Sequence, residues 1–255
     1  MEFDKVIKSI SYNQHEILYN IMQLYNNGEP FDCDMTYSKG KFYGRFNVKK
    51  RDGTSTNIVI PEPKYKFDVC PQTKDTIKIE PMGRLPLEDE SLDSIVVDLP
   101  FVISKGPSLL KCNKGSNLIH QRFSSFSNYK ELVENYYHSL QEAFRVLKNE
   151  GILVWKCQRT ITGGKTLNSP EITWFFGEAI GFDCVDSFQL IAKNRLISGK
   201  IKKQQHSRSY TSTFYIFKKS LKKKIYFLEA FNENEQNLIL NKVGKKNKLT
   251  YSHVL

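Results

Sequence analysis

The tetrapeptide Asp98-Leu99-Pro100-Phe101 combines residue types that can hold a flat, amine-bearing ring. A carboxylate accepts a hydrogen bond from the amine. Pro100 stiffens the chain and leaves the Leu99 carbonyl as a second acceptor. Phe101 offers an aromatic face for stacking. The apolar, β-branched run Ile95-Val96-Val97 comes directly before, so Asp98 is expected at the carboxyl end of a buried strand. The competing reading makes the segment a proline turn with Phe101 packed into the core, since Phe is often buried.

The flanks favour the chemical reading. Leu85 to Asp98, LPLEDESLDSIVVD, reads as a turn, an acidic surface loop and a strand. Leu140 to Gln158, LQEAFRVLKNEGILVWKCQ, reads as a helix, a glycine stop and a second strand. The DLPF segment resembles the D-[PL]-P-[YF] signature of S-adenosylmethionine-dependent amino-methyltransferases, which methylate adenine N6 or cytosine N4. The LP-x-x-D/E-S-x-D run before it and the EAxRVLKxGG-strand element after it are similar to the same family. They occur here in the family's order. The resemblance covers roughly Pro30 to Lys219.

That resemblance implies a class I methyltransferase fold. This is a seven-stranded Rossmann-like α/β sheet, mostly parallel with an antiparallel last strand, and helices on both faces. It implies a methyltransferase domain over residues 1–220 and a basic extension over 221–255. It implies S-adenosyl-L-methionine as cofactor and Asp98, Leu99, Pro100 and Phe101 as the catalytic segment. For cofactor binding the family uses a strand followed by a Gly-rich loop, often D-P-F-x-G-x-G. The candidate here is Pro30 to Gly40, with Phe31, Asp32, Asp34, Ser38 and Gly40 as contacts. It keeps the Pro-Phe pair but lacks the first glycines. Asp68 in KYKFDVCP resembles the family's ribose-binding acid. Met82, in Glu80-Pro81-Met82-Gly83, sits where the family places its adenine edge.

Implied with this is direct methyl transfer. An aryl amine is a poor nucleophile because its lone pair is delocalised into the ring. Two acceptors on its N–H groups favour a pyramidal nitrogen and expose that lone pair. The protein then contributes orientation and electrostatics. DNA is the expected partner and adenine N6 the expected target, with the base flipped out of the duplex. An RNA base methyltransferase and a non-catalytic nucleic-acid-binding relative are the alternatives.

Periodicity supplies the elements. His15 to Tyr25 has helical spacing, stopped by Asn27-Gly28. Glu29 to Gly44 reads as a short strand and a loop, and Lys49 to Thr56 as an exposed polar turn. Strands are expected over Tyr65 to Val69, Ile95 to Asp98, Ile152 to Cys157, Phe182 to Ala192 and Tyr210 to Phe217. Helices are expected over Asn128 to Lys148 and Pro170 to Gly181. Strands alternating with helices imply a parallel α/β sheet with ligands at the carboxyl ends of its strands.

The 255 residues are 40% hydrophobic and 25% charged, which suits a globular chain. The formal net charge of +11 points to a polyanion such as nucleic acid. Lys193, Arg195, Lys200, Lys202, Lys203, His206 and Arg208 lie between the last two strands with no acid among them, and are the candidate phosphate clamp. The basic, aromatic stretch Val102 to Asn128 is a second candidate. Five cysteines, odd in number and without a CxxC pair, argue against a disulfide framework and a metal site. With no signal peptide and no apolar run near ~20 residues, no membrane partner and a cytoplasmic location are expected.

Overall fold

The computed structural model describes residues 6–49, 53–103, 125–162, 164–193, 207, 209–220, 232–234 and 237–238. In chain order the elements are β1 (Ile10–Ser11), α1 (Gln14–Tyr25), β2 (Cys33–Asp34), β3 (Gly44–Lys49), β4 (Ser55–Ile60), β5 (Tyr65–Asp68), β6 (Ile77–Lys78), β7 (Leu92–Val97), α2 (Tyr129–Val146), β8 (Leu147–Cys157), β9 (Thr160–Thr162), β10 (Lys165–Leu167), α3 (Ser169–Ile180), β11 (Phe182–Ile191) and β12 (Thr211–Lys219).

Eight strands form one sheet in the order β1-β11-β12-β8-β7-β2-β5-β6. The pairs β8·β7, β7·β2, β2·β5 and β5·β6 are parallel, while β12 runs antiparallel to both β8 and β11. The antiparallel last strand is as expected. The count is eight because β1 adds to the outer edge, parallel to β11. At two residues β1 is too short to show periodicity, so nothing in its sequence announces it.

The strands alternate between two cores. On one face Ile95, Val97, Leu153 and Trp155 pack with Leu132, Tyr136 and Leu140 of α2 and Phe176 of α3. On the other face Val96, Ile152, Val154, Phe214 and Ile216 pack with Ile17, Leu18 and Ile21 of α1 and with Ile60 of β4. This two-residue alternation is what a strand covered on both sides requires. Gly177 lets α3 approach the sheet: a Cβ there would lie 2.7 Å from the Phe217 ring.

Polar contacts fix the ends. Asn13 caps α1 by accepting the His15 N–H, and Asn128 caps α2 by accepting the Glu131 N–H. Arg145, near the end of α2, donates to the carbonyls of Leu85 and Leu87, and Glu142 accepts the Leu85 N–H. The helix thus pins the acidic loop that leads into β7.

The largest departure from expectation lies between β2 and β5. A parallel pair needs a crossover, usually a helix. Here the regular part of the crossover is the antiparallel hairpin β3–β4, whose two strands were not expected; the polar turn expected over Lys49 to Thr56 coincides with the stretch that joins them, with Lys49, Ser55 and Thr56 in the strands themselves. A second departure concerns cysteine. Cys33, Cys157 and Cys184 are free thiols, but Cys70 is disulfide-bonded, against the reading from cysteine count alone. No helix among the described residues is long and apolar enough to cross a membrane.

Candidate active site

A cavity of about 340 Å³ opens at the carboxyl ends of β2, β5, β6 and β7. Its lining includes Asp34, Ser38, Asp68, Met82 and the whole of Asp98-Leu99-Pro100-Phe101. These sites, scattered over the sequence, meet because parallel strands deliver all their carboxyl ends to one edge.

One wall is the loop after β2. Asp34 is only 1% exposed. Its carboxylate accepts the Thr36 N–H at 2.7 Å, the Thr36 hydroxyl at 3.2 Å and the Tyr43 hydroxyl at 2.8 Å. Burial outweighs these bonds and pushes its carboxyl up to about 7. The Thr36 hydroxyl also accepts the Asp98 N–H, tying this wall to the next. Ser38 sits at φ +51°, a conformation that glycine adopts without cost. Its N–H donates to Asp68 Oδ2 at 2.8 Å, while Asp68 Oδ1 accepts the Cys70 N–H at 2.6 Å. Burial raises the Asp68 pKa, partly offset by these two bonds. Asp68 therefore orders the loop that departs from the family's glycine pattern. Met82, also at positive φ, and Gly83 form a tight turn beside it.

The other wall is the segment after β7. Asp98 Oδ2 accepts Lys156 Nζ at 2.8 Å, with side-chain exposures of 24% and 13%. The ammonium lies 5.0 Å from the centre of the Phe42 ring and 5.8 Å from that of Phe214. Asp98 Oδ1 and the Leu99 carbonyl accept no hydrogen bond among the described residues. By contrast the Pro100 carbonyl takes the Tyr136 hydroxyl and the Phe101 carbonyl takes the Thr160 hydroxyl. Phe101 is half-buried, lines the cavity and belongs to neither core cluster, which separates it from a packing role.

Three expected cofactor contacts lie elsewhere. Phe31 is 1% exposed in the core beneath α1. Asp32 accepts the N–H groups of Asp93 and Ser94, at the amino ends of β2 and β7 and so at the far edge of the sheet. Gly40 stands at φ +64° outside the lining, where any Cβ would strike the Tyr37 ring. Strand β2, Cys33–Asp34, lies inside the stretch Pro30 to Gly40 read as the cofactor loop, so the loop proper begins after Asp34. Of the expected phosphate clamp, Lys193 is exposed; Arg195, Lys200, Lys202, Lys203, His206 and Arg208 lie outside the described residues, as do residues 104–124 of the second basic stretch.

Two contributors escaped the sequence reading. Tyr43 looked like part of a featureless loop. Lys156 carried a usable signal: it is the one charge in the apolar run Ile152 to Cys157, next to the strand's carboxyl end. One face of α2 also lines the cavity, through Asn135, His138, Ser139 and Glu142 at helical spacing.

No family model matches the chain, and no curated protein matches it. Among solved structures it is similar to a protein from Thermus thermophilus that is named a DNA modification methylase and was crystallised with S-adenosyl-L-methionine. The TM-score is 0.35 at 13% identity over 60% of this chain, which spans about half (53%) of that protein. It is also similar to the [4+2]-cyclase SpnF, with TM-score 0.43, 13% identity and 82% of both chains covered. A third is a SAM-dependent methyltransferase from Methanosarcina mazei, with TM-score 0.39 at 10% identity over 80% of this chain and 99% of that one. At these scores the neighbours bear on nothing beyond themselves. The α/β sheet, mostly parallel and covered by helices on both faces, is established by the strand order above.

Proposed function

We propose that the protein transfers a methyl group from S-adenosyl-L-methionine to an exocyclic amine of a nucleic-acid base, with adenine N6 in DNA as the favoured target. The observation that carries this reading is a pair of acceptors with no hydrogen bond among the described residues, Asp98 Oδ1 and the Leu99 carbonyl, on one wall of the cavity. An amine with two N–H groups needs two acceptors. Phe101 beside them supplies the face on which its ring stacks.

The residues divide the work. Ser38, Asp68 and Met82 hold the cofactor, which supplies an electrophilic methyl. Thr36 N–H and Ser38 N–H are already committed to carboxylates and the Thr36 hydroxyl is held between Asp34 and the Asp98 N–H, so the Ser38 hydroxyl, which accepts from Gln72 and keeps its proton, is the group these two residues offer. Asp98 and Leu99 orient the amine and turn its lone pair toward the methyl. Lys156 holds the Asp98 carboxylate by one oxygen and leaves the other to the substrate. The +11 charge favours a polyanionic substrate. Labelled methyl transfer to unmethylated DNA, with total RNA in parallel, tests the reading. Label in DNA that Asp98→Asn abolishes supports it. Label in RNA alone moves the substrate assignment, and label in neither, with saturating cofactor, contradicts it.

A further inference from the structure

The hairpin β3–β4 presents an outer face that neither core explains. Its register pairs Arg45 with Val59, Asn47 with Asn57 and Lys49 with Ser55. All six are exposed, while Val48, Ile58 and Ile60 on the opposite face are buried. No acid occurs in either strand. Arg45 and Lys49 form no ion pair among the described residues. Between them Asn47 Nδ2 donates to Asn57 Oδ1 at 2.8 Å. Asn47 Nδ2 also reaches Ser55 Oγ at 3.4 Å, and Asn47 Oδ1 and Asn57 Nδ2 remain an acceptor and a donor without a partner among the described residues on this exposed face.

The ribbon is joined directly to the cavity. Lys41 and Phe42 line the cavity just before β3 begins. Phe46 of β3 stacks on His15 at 3.5 Å between ring centres, and His15 also bonds the Lys41 carbonyl. The neighbouring Gln14 lines the cavity as well. The base of the ribbon is therefore part of the cavity rim.

We infer that β3–β4 is a duplex-DNA-reading ribbon that enters the major groove beside the target base. The major groove of B-form DNA admits a two-stranded β-ribbon, and the adenine edge there pairs an amine donor with a ring-nitrogen acceptor. This acceptor and donor of the Asn pair complement that edge. Arg45 and Lys49 stand four residues apart, about 13 Å along the strand, and flank the amides with phosphate-seeking charge. The major groove of A-form RNA is too deep and narrow for such a ribbon, which is why duplex DNA is the occupant. The inference deepens the nucleic-acid part of the proposed function and needs no methyl transfer.

Fluorescence anisotropy with labelled duplex DNA, the same sequence as duplex RNA, and single-stranded DNA tests it across a salt series. Arg45→Ala with Lys49→Ala should weaken duplex-DNA binding on every sequence and reduce the log–log salt slope by about 1.8, or 0.9 per lost phosphate contact. Asn47→Ala with Asn57→Ala should keep the slope and flatten the dependence on sequence. All four side chains are exposed, so melting temperatures should hold; Arg45→Gln with Lys49→Gln gives a second charge-free pair if they do not. Cofactor binding measured on the same variants should be unchanged, which separates failure of the ribbon from failure of the methyltransferase reading. An unchanged salt slope in both charge-free pairs, or equal loss on duplex RNA, overturns the inference.

Discussion

The two walls of the cavity are built on opposite principles. The loop after β2 commits much of its own polarity: Asp34 accepts the Thr36 N–H and the Thr36 and Tyr43 hydroxyls, and Asp68 accepts the Ser38 and Cys70 N–H groups, one on each oxygen, with a second lone pair left on each. The segment after β7 withholds its own. Among the described residues, Asp98 and Leu99 each keep an acceptor open while the two carbonyls that follow are spent. A wall that binds a flexible cofactor gains from being pre-ordered, because ordering it during binding costs affinity. A wall that must grip an amine needs acceptors free at the moment of transfer. On the proposed function the same fold edge carries a pre-ordered cofactor cradle and an amine clamp, joined by the bond from the Asp98 N–H to the Thr36 hydroxyl.

Breaking the clamp gives the largest expected effect. Asp98→Asn swaps an acceptor for a donor and should cut methyl transfer at least 100-fold, about 2.7 kcal/mol of transition-state stabilisation, with cofactor affinity within threefold. Single-turnover transfer rates and calorimetry on one preparation check both halves.

Lys156→Met comes next. It removes the partner of a carboxylate that is 24% exposed, so stability should fall by about 1–3 kcal/mol, the cost of leaving a largely buried acceptor unpaired, measured by urea unfolding. Combined with Asp98→Asn the losses should be less than additive, because the second change removes the orphaned charge. Additive losses would show that the 2.8 Å pair contributes nothing as a pair.

The cradle should answer to pH. The folded-state pKa of Asp34 is raised by burial to about 7, above the ~3.9 of an unfolded Asp. Its protonated form therefore favours the folded state. That contribution is complete below about pH 4 and is lost as pH rises through about 7, at up to about 1.4 kcal/mol per pH unit. Asp34→Asn should flatten this slope in unfolding experiments. A wild-type slope unchanged in the variant would assign the pH dependence elsewhere.

The smallest effect should come from Ser38→Gly. It relieves a positive φ at the cost of chain entropy and the Gln72 contact to the hydroxyl, so stability should change by under ~1 kcal/mol. A weakened cofactor affinity with intact stability would show that the Ser38 hydroxyl itself contacts the cofactor.

The two walls also differ in how far the sequence disclosed them. The placement of Asp98 to Phe101 at the carboxyl end of a buried strand was legible because its determinants are local: a β-branched strand, a carboxylate, a proline and an aromatic in one run. The order β7, α2, β8, α3, β11, β12 was legible for the same reason, since each is long enough to show its period, whereas the three-residue strands β9 and β10 gave no such signal. The cradle was not legible. Its strand β2 is two residues long, and its bonds join Asp34 to Tyr43 and Ser38 to Asp68, contacts with no sequence period. Asp32 and Asp34 look equivalent in the chain, yet β2 sends one to each edge of the sheet. Of the hairpin β3–β4 the sequence disclosed the polar connection around Lys49 to Thr56 but not the two strands, whose outer faces are polar because half of each strand points to solvent.

The central claim is that the pre-ordered wall is a seat for S-adenosyl-L-methionine. Calorimetric titration of that molecule into the protein tests it most directly. The account predicts a single saturable site, competed by the demethylated product and retained in Asp98→Asn. No heat and no rise in melting temperature at millimolar cofactor would contradict it, because a ligand that binds only the folded state must stabilise that state.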